Sequence, residues 1–278
     1  MLSYDFRASA TYNKTFNNTH IISLYGGMSV NKIDRHNTWF RGWGLQYDMG
    51  MEPYYDYLAF KQGMESGSKY YTIGDSFYRE VAFFFNGTYS YKGRYTINGT
   101  YRYEGTNKMG KSRKARWLPT WNISGAWNVH EEKFFSHVQP ALSHLSLKAS
   151  YSLTADRGPS YVTNSLAVIK ASTPWRPTSG DTETGLKVSS LENAQLTYEK
   201  KHELNLGLDV GFVNNRINLA FDWYKRNNFD LIGTVTTQGI GGEISKYGNV
   251  AEMKSNGVEI SLSTKNVQTK NFSWTTNF

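Results

Sequence analysis

Cysteine does not occur among the 278 residues, which rules out a disulfide framework and a thiolate-bound metal centre and leaves the redox compartment open. Proline is scarce, six in all, in a chain long enough to bury a sizeable core. No apolar run approaches the ~18 residues of a membrane helix, and mean hydropathy is -0.57, so a helical spanning protein is excluded. A membrane barrel is not excluded, because barrel strands alternate lipid-facing with lumen-facing side chains and average to a polar composition. The first residues, Met1-Leu2-Ser3-Tyr4-Asp5-Phe6, lack a basic region followed by an apolar stretch, so no signal peptide is visible.

Catalytic signatures are missing too. There is no Gly-x-Ser-x-Gly, His-Glu-x-x-His, P-loop or paired-glycine dinucleotide fingerprint. The six histidines, His20, His36, His130, His137, His144 and His202, show no ligand spacing within a helix or turn. Glu131 and Glu132 are adjacent on a turn and do not face one another across a substrate. Gly239-Ile240-Gly241-Gly242 has no following helix to complete a phosphate loop. No enzyme, cofactor or metal is therefore expected. The formal charge of +8 raises nucleic acid as a partner, but no run resembles a basic helix, an RNP motif or a zinc finger, so no nucleic-acid binding is expected either.

What is abundant is aromatic. Twenty Tyr, eight Trp and fifteen Phe make 15% of the chain, an excess that aromatic girdles at two membrane interfaces would explain. The dominant periodicity is two. Leu2, Tyr4, Phe6, Ala8, Ala10 and Tyr12 alternate with Ser3, Asp5, Arg7, Ser9 and Thr11, a run as long as the ~9 to 11 residues of a tilted membrane strand and longer than the five or six usual in globular proteins. Further strands are expected at about His20 to Val30, Val81 to Tyr91, Arg94 to Glu104, Arg116 to Asn128, Ser143 to Thr154, His202 to Phe212, Arg216 to Tyr224, Gly257 to Thr264 and Phe272 to Phe278. Asn214-Asn215 and Lys92-Gly93 read as tight hairpin turns, since consecutive Asn tolerate positive φ.

The connections alternate. Those at Asn13 to Asn18, Lys92-Gly93, His130 to Leu142, Val213 to Asn215 and Lys265 to Asn271 are short or compact, with a helical turn expected near Glu131 to Phe135. Those at Asn31 to Glu80, Gly105 to Ala115, Ala155 to Lys201 and Lys225 to Asn256 are longer. An antiparallel barrel produces this rule when its short turns face the periplasm and its long loops face outside. The fold expected is all-β, an antiparallel transmembrane β-barrel of about ten strands. In hydrocarbon an unpaired backbone group costs several kcal/mol, so either these strands close on themselves or both ends continue into others.

Several segments, in order, resemble the SusC/RagA family of TonB-dependent outer-membrane transporters. Tyr89-Ser90-Tyr91-Lys92-Gly93-Arg94-Tyr95 is similar to a family hairpin, and Arg102-Tyr103-Glu104-Gly105-Thr106 stands where Arg-x-Asp-Gly-Ser is usual. Leu118-Pro119-Thr120-Trp121, Ala126-Trp127-Asn128, Glu132 and Phe134 resemble the next strand and turn. Leu147 to Thr154 is similar to a Ser-Tyr-Gly-x-Thr-Gly strand, with Ser152 and Ala155 at the two glycines. Tyr198-Glu199 and Glu203 to Asp209 match a hairpin entry where Trp is commoner than Tyr198. Gly248 to Ile260 resembles the signature Asn-x-Gly-x-(Met/Val)-x-Asn-x-Gly-(Val/Ile)-Glu. The motifs run from about Val81 to the C-terminus, and the first 80 residues fit by pattern only.

The resemblance implies a bacterial outer-membrane location and a 22-stranded, plugged barrel, of which residues 1–278 are a part. The signal peptide, TonB box, plug, early strands and last few strands would lie outside this chain. It further implies import of a glycan or peptide ligand, driven by the TonB system acting on the plug, with a SusD-like surface lipoprotein as lid. Trp39, Trp43, Tyr161 and Trp175, in long loops, are candidates to stack on such a ligand. Tyr54 and Tyr55 belong with them, whereas Trp223 reads as an interface anchor at the end of an apolar strand face. Lys111, Arg113 and Lys114, clustered with Lys108 and Arg116, are candidates for anionic contacts. Two other readings stay open: a complete small outer-membrane barrel acting as adhesin or enzyme, ending on the aromatic Phe278, and a soluble carbohydrate-binding β protein with the apolar faces buried under a second sheet.

Overall fold

A computed structural model describes residues 1–41, 45, 46, 50, 52, 53, 56–66, 68, 70–110, 113–139, 141–158, 167–172, 185–239 and 244–278. In chain order the elements are β1 Leu2–Phe16, β2 His20–Phe40, β3 Leu45–Gln46, β4 Glu52–Pro53, α1 Tyr57–Glu65, β5 Tyr71–Tyr91, β6 Tyr95–Thr106, α2 Arg113–Arg116, β7 Trp117–Asn128, β8 Leu142–Asp156, β9 Val168–Ser172, β10 Gly185–Ser190, β11 Glu199–Phe212, β12 Ile217–Thr236, β13 Ser245–Gln268 and β14 Ser273–Asn277. No helix among the described residues is long and apolar enough to cross a membrane. Ten strands form one sheet in the order β1-β2-β5-β6-β7-β8-β11-β12-β13-β14, antiparallel from β5 onward.

All ten expected strands are present, but several overrun their expected ends. β2 continues past Val30 to Phe40, β12 past Tyr224 to Thr236, and β13 begins at Ser245, well before Gly257. The connection placed at Lys225 to Asn256 therefore shrinks to 237–244, and the one at Asn31 to Glu80 to 41–70. The physical reason is that apolar alternation marks only the part of a strand with one greasy and one wet face. Beyond that part no face is held against hydrocarbon, the alternation stops, and the hydrogen-bond ladder carries on without it.

Two compact units divide the chain, residues 1–6 with 30–79 and residues 7–29 with 80–278. In the first, Asp34 pairs with Arg79 (2.5 Å) and Lys32 (3.4 Å), and His36 Nδ1 lies 2.6 Å from Asp75. The helix α1 was not legible as an element of the long connection. Asp56 caps it, accepting from the backbone N–H groups of Leu58 and Ala59, the usual way of satisfying free donors at a helix start.

In the second unit the sheet has two unlike faces. Phe85, Tyr101, Trp121, Leu153 and His202 stand opposite one another across five strands, as do Tyr89, Ile97, Gly125, Ala149, Leu206, Trp223 and Val258 across seven. One residue over, the row reads Thr88, Asn98, Ser124, Ser150, Asn205, Tyr224. Cross-strand partners share a face, so one face is apolar and the other polar throughout. Ile97, Ile123 and Val258 are each more than half exposed. No second sheet covers the apolar rows among the described residues, contrary to the soluble reading.

Both hairpins turn through residues of positive φ. Asn214 and Asn215 have φ of 54° and 59°, and Lys92 and Gly93 have 54° and 70°, so both hairpins turn through the left-handed region as expected. Short 3-10 turns at Val129–Glu131 and Lys133–His137 occupy the β7–β8 connection.

Candidate functional site

The apolar face is bounded by aromatic side chains at two levels. Near the short turns Tyr95 stacks on Trp127, centroids 6.2 Å apart. Toward the long connections Tyr103 stacks on Trp117 (5.0 Å), and Trp121, Tyr151, His202 and Phe229 form a contiguous series with spacings of 5.4, 5.6 and 5.3 Å. From Tyr95 to Tyr103 the strand rises about 27 Å before any tilt, at ~3.4 Å per residue, comparable with the ~25 Å apolar band of outer-membrane barrels. Trp223 stands mid-strand, opposite Leu206 and Val258, and not at a strand end. β12 outlasts its apolar alternation, which had made Trp223 look terminal.

Below the lower belt, Glu132 gathers three donors in the β7–β8 turn. Tyr95 Oη donates to Oε1 at 2.5 Å, Trp127 Nε1 to Oε1 at 3.4 Å, and Arg94 Nη1 to Oε2 at 3.1 Å. The Tyr95 hydrogen bond chiefly, with the Trp127 bond and the Arg94 charge, holds the Glu132 carboxyl below the ordinary range despite its partial burial.

The polar face carries charge in ladders. Arg102 contacts both Glu104 and Glu80 (3.3 Å to the latter), and Arg157 reaches Glu80 at 3.8 Å. Glu203 is held between Lys201 (2.7 Å) and Arg226 (3.1 Å), and Lys148 pairs with Asp209. A depression of about 370 Å³ opens here among Asn98, Ser124, Lys148, Ser150, Asn205 and Asp222. Such a surface suits water and polar solutes. Among the described residues no three His, Asp or Glu side chains come together as a metal site.

At the far end the β6–β7 and β8–β11 connections are clasped to each other and to the extended ends of β12 and β13. Met109, Leu118 and Tyr198 form a small buried cluster. Gly110 N–H donates to Leu196 O (2.9 Å), Thr197 Oγ1 to Ala115 O (3.3 Å) and Tyr198 Oη to Arg116 O (3.4 Å). Asn249 Nδ2 donates to Thr197 O (2.9 Å) and Asp230 O (2.6 Å), and Asn193 Nδ2 to Tyr247 O (2.8 Å). Lys200 meets Asp230 at 2.7 Å, and Glu199 accepts from Ile232 N–H at 2.8 Å. These roles are not visible in the sequence, although Tyr198-Glu199 and Asn249 lie inside the segments that resemble the family. Gly257 of the same signature lies under Tyr224, whose ring atoms stand 2.6 to 2.9 Å from where a Cβ would be.

Of the candidate ligand contacts, Trp39 is half-exposed near the end of β2, with the Arg41 guanidinium 5.1 Å from its ring. Trp43, Tyr54, Tyr55, Tyr161 and Trp175 lie outside the described residues, as does Lys111. Arg113 is exposed on α2, and Lys114 belongs to the same short helix.

A single sheet whose apolar face is, among the described residues, uncovered between two aromatic belts, with a charged, polar face behind it, is the wall of an outer-membrane β-barrel. The comparison with known proteins is more specific. A family model described as TonB dependent receptor-like, beta-barrel matches residues 2–278, and the chain belongs to that family. It is 27% identical over 273 residues to TonB-dependent receptor P3 of Formosa agariphila, covering 96% of this chain and 25% of that protein. It is 30% identical over 166 residues to TonB-dependent receptor SusC of Bacteroides thetaiotaomicron, covering 59% of this chain and 16% of that protein. Among solved structures, the RagAB peptide importer in its closed-closed state shares the fold, with a TM-score of 0.80 at 22% identity, over 99% of this chain and 29% of that chain. The chain spans about a quarter of the length of the curated relatives over which it matches most fully. The family places it in the bacterial outer membrane.

Proposed function

We propose that these residues form part of the wall and outer loops of a TonB-dependent importer that takes up a glycan or peptide ligand without chemically altering it. The observation that carries this reading is the two-faced sheet: an exposed apolar face on one side and a polar, charged face on the other. On the proposal the polar face lines the lumen against a plug contributed by another part of the protein, and edge strands β1 and β14 pair with further strands. The TonB system would act on that plug. The clasped long connections would form the firm part of the outer rim, over which a SusD-like surface lipoprotein closes. Trp39, Trp43, Tyr161 and Trp175 would supply flat faces to sugar rings or peptide side chains, with Lys111, Arg113 and Lys114 drawing anionic groups toward the mouth.

Deletion of the whole gene, followed by growth on mixed oligosaccharides or on mixed oligopeptides as sole carbon source, tests the reading. Loss of growth on one class, restored by the intact gene and abolished by a protonophore, is expected. Unimpaired growth and uptake on both classes would contradict it. In the complemented strain Trp39→Ala should lower ligand affinity while leaving the half-exposed site's stability within about 0.5 kcal/mol.

A further inference from the structure

We propose that the apolar face holds a binding groove for one acyl chain of a membrane phospholipid, in the leaflet on the side of the short turns. A depression of about 670 Å³ opens there, within the range of small-molecule sites. Its lining includes Ile97, Gly125, Trp127, Ala149, Leu206 and Phe221. Register explains the groove. Gly125 on β7 and Ala149 on β8 stand opposite one another, with Ile97 of β6 on one flank and Leu206 of β11 on the other. The row thus reads large, small, small, large, and the missing side-chain bulk at its two central positions leaves the hollow between Ile97 and Leu206.

Nothing within the chain requires glycine at the floor. Gly125 is not among the residues of positive φ, and a Cβ there would meet only Thr96 O, at 3.9 Å. Glycine within a strand weakens it and commonly marks close approach by a ligand or another backbone. Another strand is ruled out as occupant, because the backbones of β6, β7, β8 and β11 are already paired on both sides along this stretch. Of the lining residues, Tyr95 and Trp127 spend their polar atoms on Glu132, and Thr96 and Lys148 belong to the row of the opposite, polar face, so a polar ligand gains little there.

An apolar, unbranched and flexible occupant remains, and the groove opens on the face that lipid already covers, continuous with that interface. Its end toward the short turns is closed by the Tyr95–Trp127 stack, whose polar atoms turn to Glu132 beside Arg94. That is the level at which a chain would give way to its headgroup. The inference rests on the outer-membrane location and not on transport.

The test uses the full-length protein and 1-palmitoyl-2-oleoyl-phosphatidylethanolamine as probe. Native mass spectrometry in mild detergent should show one tightly held phospholipid, with the affinity lowered about tenfold when Gly125→Leu and Ala149→Leu together remove several methylene contacts. Val258→Leu, on the same face outside the groove, should bind like the wild type. A density map of the wild type in nanodiscs of this lipid should show a tube along the Ile97–Leu206 row, which keeps the test decisive if the filled variant does not fold. Equal retention by wild type and filled variant, or a map with the groove empty or occupied by polypeptide, overturns the proposal.

Discussion

Asn249 of β13 takes both backbone polar groups of Thr197. Thr197 N–H donates to Asn249 Oδ1 at 2.9 Å, and Asn249 Nδ2 donates back to Thr197 O at 2.9 Å. The same amide nitrogen also reaches Asp230 O at 2.6 Å, where Asp230 sits at φ 56° in a register break of β12. One side chain therefore ties the segment before β11 to two neighbouring strands, standing in for ladder bonds that the irregular backbone cannot make.

Asn249→Ala should release that segment. Removing one partner from several part-buried hydrogen bonds costs roughly 2 kcal/mol. Faster hydrogen exchange at the Thr197 amide, with the β7–β8 ladder unchanged, is the local signature to look for.

Val213 has φ 50°, immediately before Asn214 and Asn215. A β-branched residue pays a steric penalty in the left-handed region that glycine does not. Since the side chain is half exposed and loses little packing, Val213→Gly should raise stability by about 1 kcal/mol. Urea unfolding of the full-length protein in liposomes measures it, and a loss of stability would show that the Val213 contacts outweigh the strain.

Glu132 titrates with stability. Its carboxyl is held below the ordinary value of 4.5, first by the Tyr95 hydroxyl, then by Trp127 and Arg94 against the opposing effect of burial. A depressed folded-state value means the contribution is complete above 4.5 and lost as pH falls through the lowered value. Glu132→Gln should therefore be less stable than the wild type at pH 7, with the gap closing in acid, as unfolding midpoints across that range would reveal.

Adjacent positions on β7 should respond oppositely to one charge. Ile123 lies on the apolar face, opposite Gly99 and Tyr151, and Ser124 on the polar face, opposite Asn98 and Ser150. Ile123→Arg should cost roughly 2–4 kcal/mol in refolding into liposomes, and Ser124→Arg less than about 1 kcal/mol.

The strands were legible because period-two alternation is imposed wherever one face meets lipid and the other water, as at Leu204 to Phe212. Turns were legible where the residues themselves permit positive φ, as at Asn214-Asn215. The extensions of β2, β12 and β13 were not, since a strand with no face against hydrocarbon carries no imposed alternation. The rim clasp was hidden for another reason. Thr197, Asn249 and Tyr198 act through contacts 19 to 82 residues apart in sequence, and local pattern does not encode such distances. Loop aromatics were visible as residue types, but a type alone does not specify what its ring faces.

Which medium each face of the sheet touches decides what the chain is, and spin labels on single cysteines report that directly. In the full-length protein in lipid vesicles, with other cysteines removed, labels at Ile97, Ile123 and Val258 should be relaxed by oxygen and shielded from a water-soluble nickel chelate. Labels at Asn98, Ser124 and Asn205 should show the reverse. Equal access to the chelate at both sets of positions, or shielding of both from oxygen and chelate alike, would contradict the account.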